Sequence, residues 1–505
     1  MASGKTGKIV IVTFSGGLFN FSTNSMAAWL RQGGHDVSVI QWVPPDDSGI
    51  ADLEDLSFAA MTREQLEMLG EACKDADVVG ISILTIHYLE KAQAINDYVK
   101  ETFGIPVIWG GVPVIADPEG YLKFADIVCV GEGEVTIEQF LNHRLEGTPL
   151  EDVQGVAYWQ DGKIKRTKPV PVIDVNLIPM QLVDLDKHYF LGGQLRAASS
   201  VREAVSQEIA AKGYRIFAIR GCPFKCTFCV NDKLHDVFHG QSILRKMSVD
   251  KIMDELTAAK AKFPEMRKVL FYEDDFFARN DKEFREFIQR YKQEIDLPID
   301  YNATVKLTSE AKIAIMKEAG IVVSEQKLGL QTGSERSNRE VYGRPFDNAE
   351  FIKKMRLLAG NRIPAQVDVI SDNPFETLQD KVDILHLYLT FSEAMAAIPD
   401  RWRLFAFMDH KLMFYPGTSL YDRAMAAGVI DDNYLQNVLL KRRTVRRHTD
   451  IDLDRVMLGI FKMSLRYPML TKVMRLLENR PALTVLGSRP ALWLASVASR
   501  LMRSR

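Results

Sequence analysis

The sequence predicts an α/β protein made of a doubly wound parallel sheet, a partial (β/α) barrel and a helical C-terminal region. Short apolar runs alternate with amphipathic segments from Lys8 to about Glu134, and the alternation resumes at Tyr214. Strands that alternate with helices indicate βαβ units and parallel sheets. The third part is predicted because this alternation ends and basic, helical sequence follows from Arg455.

The chain has 505 residues, more than one ordinary domain contains. Its 47% apolar and 26% charged residues are typical of a protein that buries full cores. The net charge of −2 gives no reason to expect a nucleic-acid partner. Because no secretory signal opens the sequence and no long apolar run occurs, we expect a cytoplasmic protein.

Residues 1–148 are predicted to form the first domain. Helices are expected between its strands, at Thr62–Ala76 and Tyr88–Phe103. Five apolar runs are predicted as its buried parallel strands: Lys8–Phe14, Val37–Trp42, Val78–Leu84, Pro106–Gly111 and Ile127–Glu134. In such sheets, ligands bind at the loops that follow the carboxyl ends of the strands.

Small and apolar residues occupy four of these strand ends. They predict a large, flat ligand that rests on backbone, whereas the simpler interpretation is that the glycines only make the turns. The candidate ligand residues are Ser15, Gly16, Gly17, Ser82, Ile83, Leu84, Gly110, Gly111, Val112, Pro113, Gly131, Glu132 and Gly133.

Residues 149–200 are predicted as an ordered linker, because a hairpin-like segment at Val156–Thr167 precedes a proline-rich stretch. Residues 201–430 are predicted as a partial or full (β/α) barrel, with its chemistry at the carboxyl ends of the strands. Its expected strands are Tyr214–Arg220, Lys268–Asp274, Asp300–Val305, Ser324–Thr332, Ala365–Ser371 and Trp402–Met408.

Residues 431–505 are predicted as a basic, amphipathic helical region. From Arg455 to Arg505 the sequence has ten Lys and Arg residues and one acidic residue, Glu478, and Lys441–His448 is also basic. Such a region can lie on an anionic membrane surface. The alternative is a helical domain that packs on the barrel and turns its basic face to water.

The cysteines carry the strongest functional signal. Three of the five cysteines, Cys222, Cys226 and Cys229, have the spacing C-x3-C-x2-C, and a disulfide framework does not suit an odd count in a long cytoplasmic chain. Three thiolates on a [4Fe–4S] cluster leave one iron open for a cofactor. Zinc, closed by His235 or His239, is the competing interpretation.

This motif resembles the one that defines the radical S-adenosylmethionine (SAM) superfamily, in which it follows the first barrel strand. The resemblance implies that the open iron binds the amino and carboxylate groups of SAM, and that Phe228 lies at the SAM site. One electron, from an external donor such as flavodoxin or ferredoxin, would then yield a 5′-deoxyadenosyl radical. That radical abstracts hydrogen from an unactivated carbon, and the protein supplies orientation.

Later segments agree with a SAM site. Glu273 and Asp275 follow the second barrel strand and are candidates for holding the SAM ammonium, although an acidic helix cap is the alternative. Gly329–Arg344 resembles the family segment after the fourth strand. The resemblance implies contacts of Gln331, Ser334 and Glu335 with SAM.

The first domain resembles the Rossmann-like cobalamin-binding domain of the B12-dependent radical SAM subgroup, through Val78–Leu84, Ile105–Glu119 and Ala125–Glu134. The signature D-x-H-x-x-G of a histidine that ligates cobalt is absent. The subgroup typically binds cobalamin without that ligand, so the resemblance still implies cobalamin at the strand-end loops.

The resemblance implies methylation of an unactivated carbon through methylcobalamin. The alternatives are a non-methylating reaction, such as oxidative cyclisation or ring rearrangement, and a membrane-surface scaffold with a structural cluster. The basic C-terminal region favours a small-molecule substrate such as a lipid, terpenoid or tetrapyrrole, with peripheral contact at the inner face of a membrane. The sequence assigns no catalytic acid or base.

Overall fold

The chain folds into two compact units, which the computed structural model describes over residues 5–14, 20–43, 60–181, 183–344, 346–435, 439 and 453–478. The first unit comprises residues 1–223, 229–267 and 415–418. The second comprises residues 224–228, 268–414 and 419–505. Some of the residues in the sequence predictions lie outside the described residues: Ser15, Gly16, Gly17, Lys441–His448 and residues 479–505.

A nine-stranded sheet forms the centre of the first unit. Its strands are Lys8–Phe14 (β1), Asp36–Trp42 (β2), Val78–Ser82 (β3), Val107–Gly110 (β4), Ile127–Cys129 (β5), Val156–Gln160 (β6), Lys163–Arg166 (β7), His188–Leu191 (β8) and Leu195–Ala197 (β9). They pair in the order β7-β6-β5-β4-β3-β1-β2-β8-β9. The five predicted strands are parallel to one another, and the strand order reverses at β1. That reversal marks the edge where ligands bind in such sheets.

Residues 149–200, predicted as an ordered linker, contribute four strands, β6 to β9, to this sheet, which corrects that prediction. The hairpin β6–β7 continues the sheet antiparallel to β5, and β8 pairs parallel with β2. The physical reason is that the apolar side chains of β6 are buried, from Val156 to Tyr158, so the hairpin has a core to join.

Helices cover the sheet, and three short strands follow it along the chain. The described helices of the first unit are Phe21–Gln32 (α1), Arg63–Cys73 (α2), Leu89–Phe103 (α3), Val112–Ala116 (α4), Pro118–Tyr121 (α5), Gly133–Glu146 (α6), Arg202–Lys212 (α7), Val230–Val237 (α8) and Val249–Lys262 (α9). The additional strands are Tyr214–Ile216 (β10), Ile219–Arg220 (β11) and Arg245–Lys246 (β12). The predicted strand Tyr214–Arg220 is therefore two short strands.

The second unit contains five parallel strands that pair in chain order. They are Val269–Phe271 (β13), Ile299–Ala303 (β14), Val323–Gln331 (β15), Ala365–Ser371 (β16) and Phe405–Lys411 (β17). Its described helices are Asp281–Glu294 (α10), Glu310–Glu318 (α11), Glu335–Glu340 (α12), Asn348–Gly360 (α13), Leu378–Ala394 (α14), Arg401–Leu404 (α15), Ser419–Ala426 (α16), Leu453–Arg466 (α17) and Leu470–Leu477 (α18). Strands that alternate with helices in this way match the predicted partial barrel.

Helix starts follow from local sequence. Five helices begin after a side chain that accepts a hydrogen bond from the backbone N–H three residues later. These N-cap residues are Thr62 for α2, Ser248 for α9, Asn280 for α10, Ser309 for α11 and Asp347 for α13. An oxygen at this position satisfies one of the N–H groups that a helix leaves open, which fixes where the helix begins.

Helix α17, near the end of the described chain, packs on α14 and β17 of the same unit. Phe461 stacks on Tyr388 of α14 with ring centroids 4.5 Å apart, and it contacts Phe407 of β17 at 4.7 Å. This part of the predicted basic region is therefore a packed helix with an apolar face, as the alternative interpretation expects. Within the described ranges, every helix falls short of the length and apolar character that a bilayer span needs.

Candidate functional site

The cysteine loop begins directly after β11. Gly221 has a φ of 84°, and a Cβ at this position would lie 2.1 Å from the carbonyl oxygen of Ile243. Only glycine fits such a backbone, so Gly221 fixes where the loop starts. Cys222 is buried, whereas Cys226 and Cys229 are partly exposed.

Two side chains of α8 contact backbone or sulfur of this loop. The Asn231 Nδ2 donates to the Cys229 Sγ at 3.7 Å. The His235 Nε2 lies 3.1 Å from the carbonyl oxygen of Cys222. Hydrogen bonds to the sulfur are among the features that tune an iron–sulfur cluster. His235, a candidate zinc ligand, is used here to hold the backbone of the loop.

In the second unit, the middle of the loop packs on residues 341–343. The Thr227 N–H donates to the Tyr342 carbonyl at 3.2 Å, and the Thr227 Oγ1 donates to the Val341 carbonyl at 2.5 Å. The Phe228 ring meets the Tyr342 ring edge-on, with centroids 5.5 Å apart. Sequence reasoning missed Tyr342 as a support of the loop, and no local pattern marks it.

The thiols of the cysteine loop are the donors available for a metal centre. The part of the chain that the structure describes contains no group of three or more His, Cys, Asp or Glu side chains placed to hold a metal ion. Thiolates that bind different irons of one cubane lie farther apart than the ligands of a single ion. The fit to a [4Fe–4S] cluster rests on the chemistry of three closely spaced thiols and on a loop built by Gly221.

The two candidate residues of the acidic segment after β13, Glu273 and Asp275, have different surroundings. The Asp275 Oδ2 accepts from the Thr304 N–H at 2.9 Å and from the Thr304 hydroxyl at 2.6 Å, and its Oδ1 accepts from the Phe277 N–H at 2.9 Å. Burial raises the pKa of Asp275 to about 6. Asp275 therefore holds two loops together. Glu273 is also buried, and Arg279 is a nearby positive charge.

The three candidates at and after the end of β15 also have different surroundings. Gln331 has a φ of 65°, and its Oε1 accepts from the Arg344 Nη1 at 2.6 Å. The Ser334 hydroxyl donates to the Asp380 Oδ1 at 2.5 Å and caps α12. The Glu335 Oε1 accepts from the Asn348 N–H at 2.9 Å. Ser334 and Glu335 thus have structural partners, and a SAM contact of these residues stays a prediction.

The loops after β3 and β4 are joined through backbone. The Ile83 N–H donates to the Gly110 carbonyl at 2.9 Å. Gly111 has a φ of 107°, and a Cβ there would lie 2.1 Å from the Ile83 carbonyl oxygen. Leu84 and Val112 are exposed. These loops therefore present backbone and two apolar side chains at the ligand-binding edge, next to Ser82 and Pro113. The two exposed apolar side chains are the feature of these loops that fits a large, flat ring.

The loop after β5 is held by ion pairs with two arginines, and a cobalamin contact of Glu132 stays a prediction. Glu132 accepts from Arg245 at 2.5 and 2.8 Å, and Arg220 donates to Glu134 at 2.6 Å. Burial opposes the ionisation of Glu132, but Arg245 and Arg220 outweigh it and hold its pKa below the ordinary value. Sequence reasoning missed both arginines, since neither lies near Glu132 in the sequence.

Two glycines of the loop after β5 have close-packed or left-handed backbone, and the two cysteines outside the motif are buried. Gly131 has a φ of 117°, and a Cβ on Gly133 would lie 2.6 Å from the Met26 Cε. Burial raises the pKa of the Cys73 and Cys129 thiols to about 12. Both thiols are therefore protonated at neutral pH and act as buried apolar groups.

Comparison with known proteins gives two family matches on one chain. Residues 7–141 match the B12 binding domain, and residues 216–388 match the radical SAM superfamily. The chain is 24% identical over 430 residues to an uncharacterized methyltransferase of Pyrococcus horikoshii, which covers 83% of this chain and 79% of the relative.

Solved structures show the same fold. One is the cobalamin-dependent SAM radical enzyme OxsB with aqua-cobalamin and SAM bound, at a TM-score of 0.68 and 13% identity over 99% of this chain and 79% of that chain. Another is the radical SAM methyltransferase TsrM from Kitasatospora setae with cobalamin and a [4Fe–4S] cluster bound. Its TM-score is 0.61, with 13% identity over 84% of this chain and 75% of that chain.

Proposed function

Because the chain belongs to the cobalamin-dependent radical SAM enzymes, we propose that it methylates an unactivated carbon of a small molecule, with SAM as the methyl source. One observation carries this proposal. A three-thiol loop of radical SAM spacing and a parallel sheet whose strand order reverses at β1 occur in one chain.

Cys222, Cys226 and Cys229 would hold a [4Fe–4S] cluster through their thiolates. When bound, the cluster and SAM supply a radical that removes hydrogen from an unactivated carbon. The chain's own residues prepare the site for this chemistry. Asn231 donates to the Cys229 sulfur, and Phe228 packs edge-on against Tyr342, which restricts the movement of the loop.

Glu273 is our candidate for holding the SAM ammonium group. It is buried, and its carboxylate can form a charge-assisted hydrogen bond with an ammonium group. Asp275 supports this position indirectly, because its carboxylate binds Thr304 and so joins the loops after β13 and β14. Gln331 is the second candidate, held by Arg344 at the end of β15.

Cobalamin would rest on the loops after β3 and β4, around Gly110 and Gly111. The exposed side chains of Leu84 and Val112 would give this proposed cradle an apolar surface for a large ring. One chain that binds both cofactors raises their effective concentration for one substrate, which is the reason to combine both domains. The reducing electron is proposed to come from flavodoxin or ferredoxin.

The proposal is tested by anaerobic reconstitution with iron, sulfide and cobalamin, followed by incubation with methyl-labelled SAM. Lipid, terpenoid and tetrapyrrole candidates are offered in parallel. We expect labelled product together with S-adenosylhomocysteine and 5′-deoxyadenosine. Cleavage of SAM without any transfer of label would support oxidative cyclisation or ring rearrangement instead. Purified protein without cubane iron would overturn the radical mechanism.

We also propose that the second unit contacts an anionic membrane surface, which gives a lipid-soluble substrate a route to the site. Arg466 lies over the rings of Trp402 and Tyr467, at 5.0 and 5.4 Å. Met469, the N-cap residue of α18, and Leu476 within the helix are exposed apolar side chains seven residues apart, a spacing that puts them on one side of α18. Aromatic, apolar and basic side chains in this combination are typical of membrane-surface contacts.

Vesicle binding tests this second proposal with the full chain. We expect co-sedimentation with vesicles that contain phosphatidylglycerol, less with phosphatidylcholine alone, and a decrease at high salt. The variant Met469→Ser/Leu476→Ser should lower the bound fraction. Leu177→Ser, at an exposed leucine of the first unit, is the matched control and should bind like the wild type. Equal binding of all three proteins would contradict the proposal.

A further inference from the structure

Two arginines flank the cysteine loop and lie directly opposite each other. Arg220 ends β11, Arg245 begins β12, and the two residues are register partners in this short antiparallel ladder. Like charges directly opposite each other destabilise a strand pair. The ladder therefore needs negative charge beside it.

Glu132 and Glu134 supply that charge. Glu132 binds Arg245 through two hydrogen bonds of 2.5 and 2.8 Å, and its Oε1 lies 3.5 Å from the Arg220 Nη1. Glu134 accepts from the Arg220 Nη2 at 2.6 Å. The four side chains are between 5% and 20% exposed, so water screens these pairs weakly. We call these four residues the Glu–Arg clasp.

The clasp fixes the first residue of the cysteine loop. Arg220 is followed by Gly221, whose backbone packs on the Ile243 carbonyl, and then by Cys222. The Arg245 Nε donates to that same carbonyl at 3.3 Å, and its Nη1 donates to the Ile173 carbonyl at 2.8 Å. Any shift of Arg220 or Arg245 therefore moves the start of the loop.

We propose that Glu132 and Glu134 are positioning residues that act through Arg220 and Arg245 to hold Cys222 in place. The proposal gives Glu132 a different role from the cobalamin contact that the sequence predicts. It deepens the proposed function, since Cys222 is a proposed cluster ligand. Its first test does not depend on any cofactor.

Thiol reactivity of the full chain without cluster is that first test. Wild-type protein is treated with iodoacetamide under anaerobic conditions, and the labelled peptides are quantified by mass spectrometry. We expect Cys222, which is 8% exposed, to react more slowly than Cys226 and Cys229. Glu132→Gln should raise the rate at Cys222 severalfold. An unchanged rate at Cys222 in both Glu132→Gln and Glu134→Gln would overturn the proposal.

Cofactor retention is the second test. After reconstitution, we expect Glu132→Gln to lose iron to a chelator roughly tenfold faster than the wild type, with an altered EPR spectrum of the reduced cluster. Cobalamin affinity, followed by absorbance, should stay unchanged. A loss of cobalamin affinity with unchanged iron retention would show that Glu132 contacts cobalamin, and would overturn the proposal.

Controls separate positioning from general loss of structure. Glu119→Gln removes an exposed ion pair with Arg166 in the same unit, and it should behave like the wild type in every readout. Glu132→Asp keeps the negative charge beside both arginines and should react at Cys222 more slowly than Glu132→Gln, and equal rates in the two variants count against the proposal. If Glu132→Gln does not fold, Arg245→Lys keeps the charge without the two-point hydrogen bond and is measured instead.

Discussion

Single side chains determine whether the cysteine loop can hold iron. Cys226 lies in the middle of the loop and is partly exposed, so its substitution removes a thiolate without opening a cavity in a core. We expect Cys226→Ala to abolish SAM cleavage and leave cobalamin bound, because cobalamin is proposed to rest on the first unit's strand-end loops. Release of 5′-deoxyadenosine and cobalamin absorbance measure the two properties. SAM cleavage by this variant at the wild-type rate would contradict the assignment of Cys226 as a cluster ligand.

A buried histidine makes the first unit sensitive to acid. His188 is buried with its Nε2 3.3 Å from the Gln41 Oε1, and burial, assisted by Arg31, lowers its pKa to about 3. At pH values between the histidine pKa in the unfolded chain, about 6.5, and the lower pKa in the folded chain, the imidazole of His188 is protonated only when the chain is unfolded. Stability present above pH 6.5 is therefore lost as the pH falls, by about 1.4 kcal/mol per pH unit.

His188→Gln should remove this part of the pH dependence while it keeps a donor for Gln41. Urea unfolding at pH 7, 6 and 5 gives the free energy of unfolding, and the wild type should lose more of it than the variant as the pH falls. His239→Gln, at an exposed histidine, is the control and should keep the wild-type slope. Equal slopes in all three proteins would contradict the expected role of His188.

The cysteine motif could be identified from sequence because its spacing is local, whereas most of its supports are not local. Tyr342 lies 114 residues beyond Phe228, and Glu132 lies 113 residues before Arg245. No periodicity within one segment reports such a contact. Asp275 shows the same limit, since its acidic neighbourhood suggested a ligand site while its partner, Thr304, follows the next strand.

At the scale of elements, the turn after β4 depends on a glycine. A Cβ on Gly111 would lie 2.1 Å from the Ile83 carbonyl oxygen, and its φ of 107° is one that other residues rarely adopt. We expect Gly111→Ala to lower the melting temperature and weaken cobalamin binding. Gly34 has a φ of 89° with no atom near its Cβ position, so Gly34→Ala tests backbone strain alone and should cost roughly 1 kcal/mol. Similar losses in both variants would contradict the steric argument.

Helix α17 is joined to the second unit by buried charges. Lys381 of α14 binds the Glu376 Oε2 at 2.6 Å and the Asp454 Oδ2 of α17 at 2.7 Å. Lys381→Met leaves two buried carboxylates without their cation, so we expect a loss of about 3–5 kcal/mol in the free energy of unfolding. Lys353→Met removes an exposed pair with Glu310 and should cost less than about 1 kcal/mol. Urea unfolding compares them, and equal costs would contradict this role.

The elements that sequence predicted best are those with a buried, continuous apolar run. β1 has the predicted bounds, Lys8–Phe14, and β16 has the predicted bounds, Ala365–Ser371. The interval 149–200 could not be placed, because pairing of β6 with β5 and of β8 with β2 depends on segments far apart in the chain. A proline-rich stretch between them resembles a linker even though its flanking strands join a sheet.

At the scale of the whole molecule, the order of the two domains was predicted and family matches confirm it. Cobalamin should protect only one edge of the first sheet. We expect added cobalamin to slow hydrogen exchange at residues 110–113, after β4. Residues 104–106, before β4, lie at the opposite edge and serve as the control. Equal protection at both ends of β4 would contradict the proposed cradle.

The outermost strand of the first sheet has a consequence for how the protein behaves at high concentration. β7 is four residues long and reads Lys-Ile-Lys-Arg, with both lysines exposed. An edge strand with open N–H and C=O groups can recruit a strand of another molecule, and short length together with positive charge discourages that pairing. Two neighbouring copies would bring these cations together, so repulsion keeps the sheet from growing into a fibril.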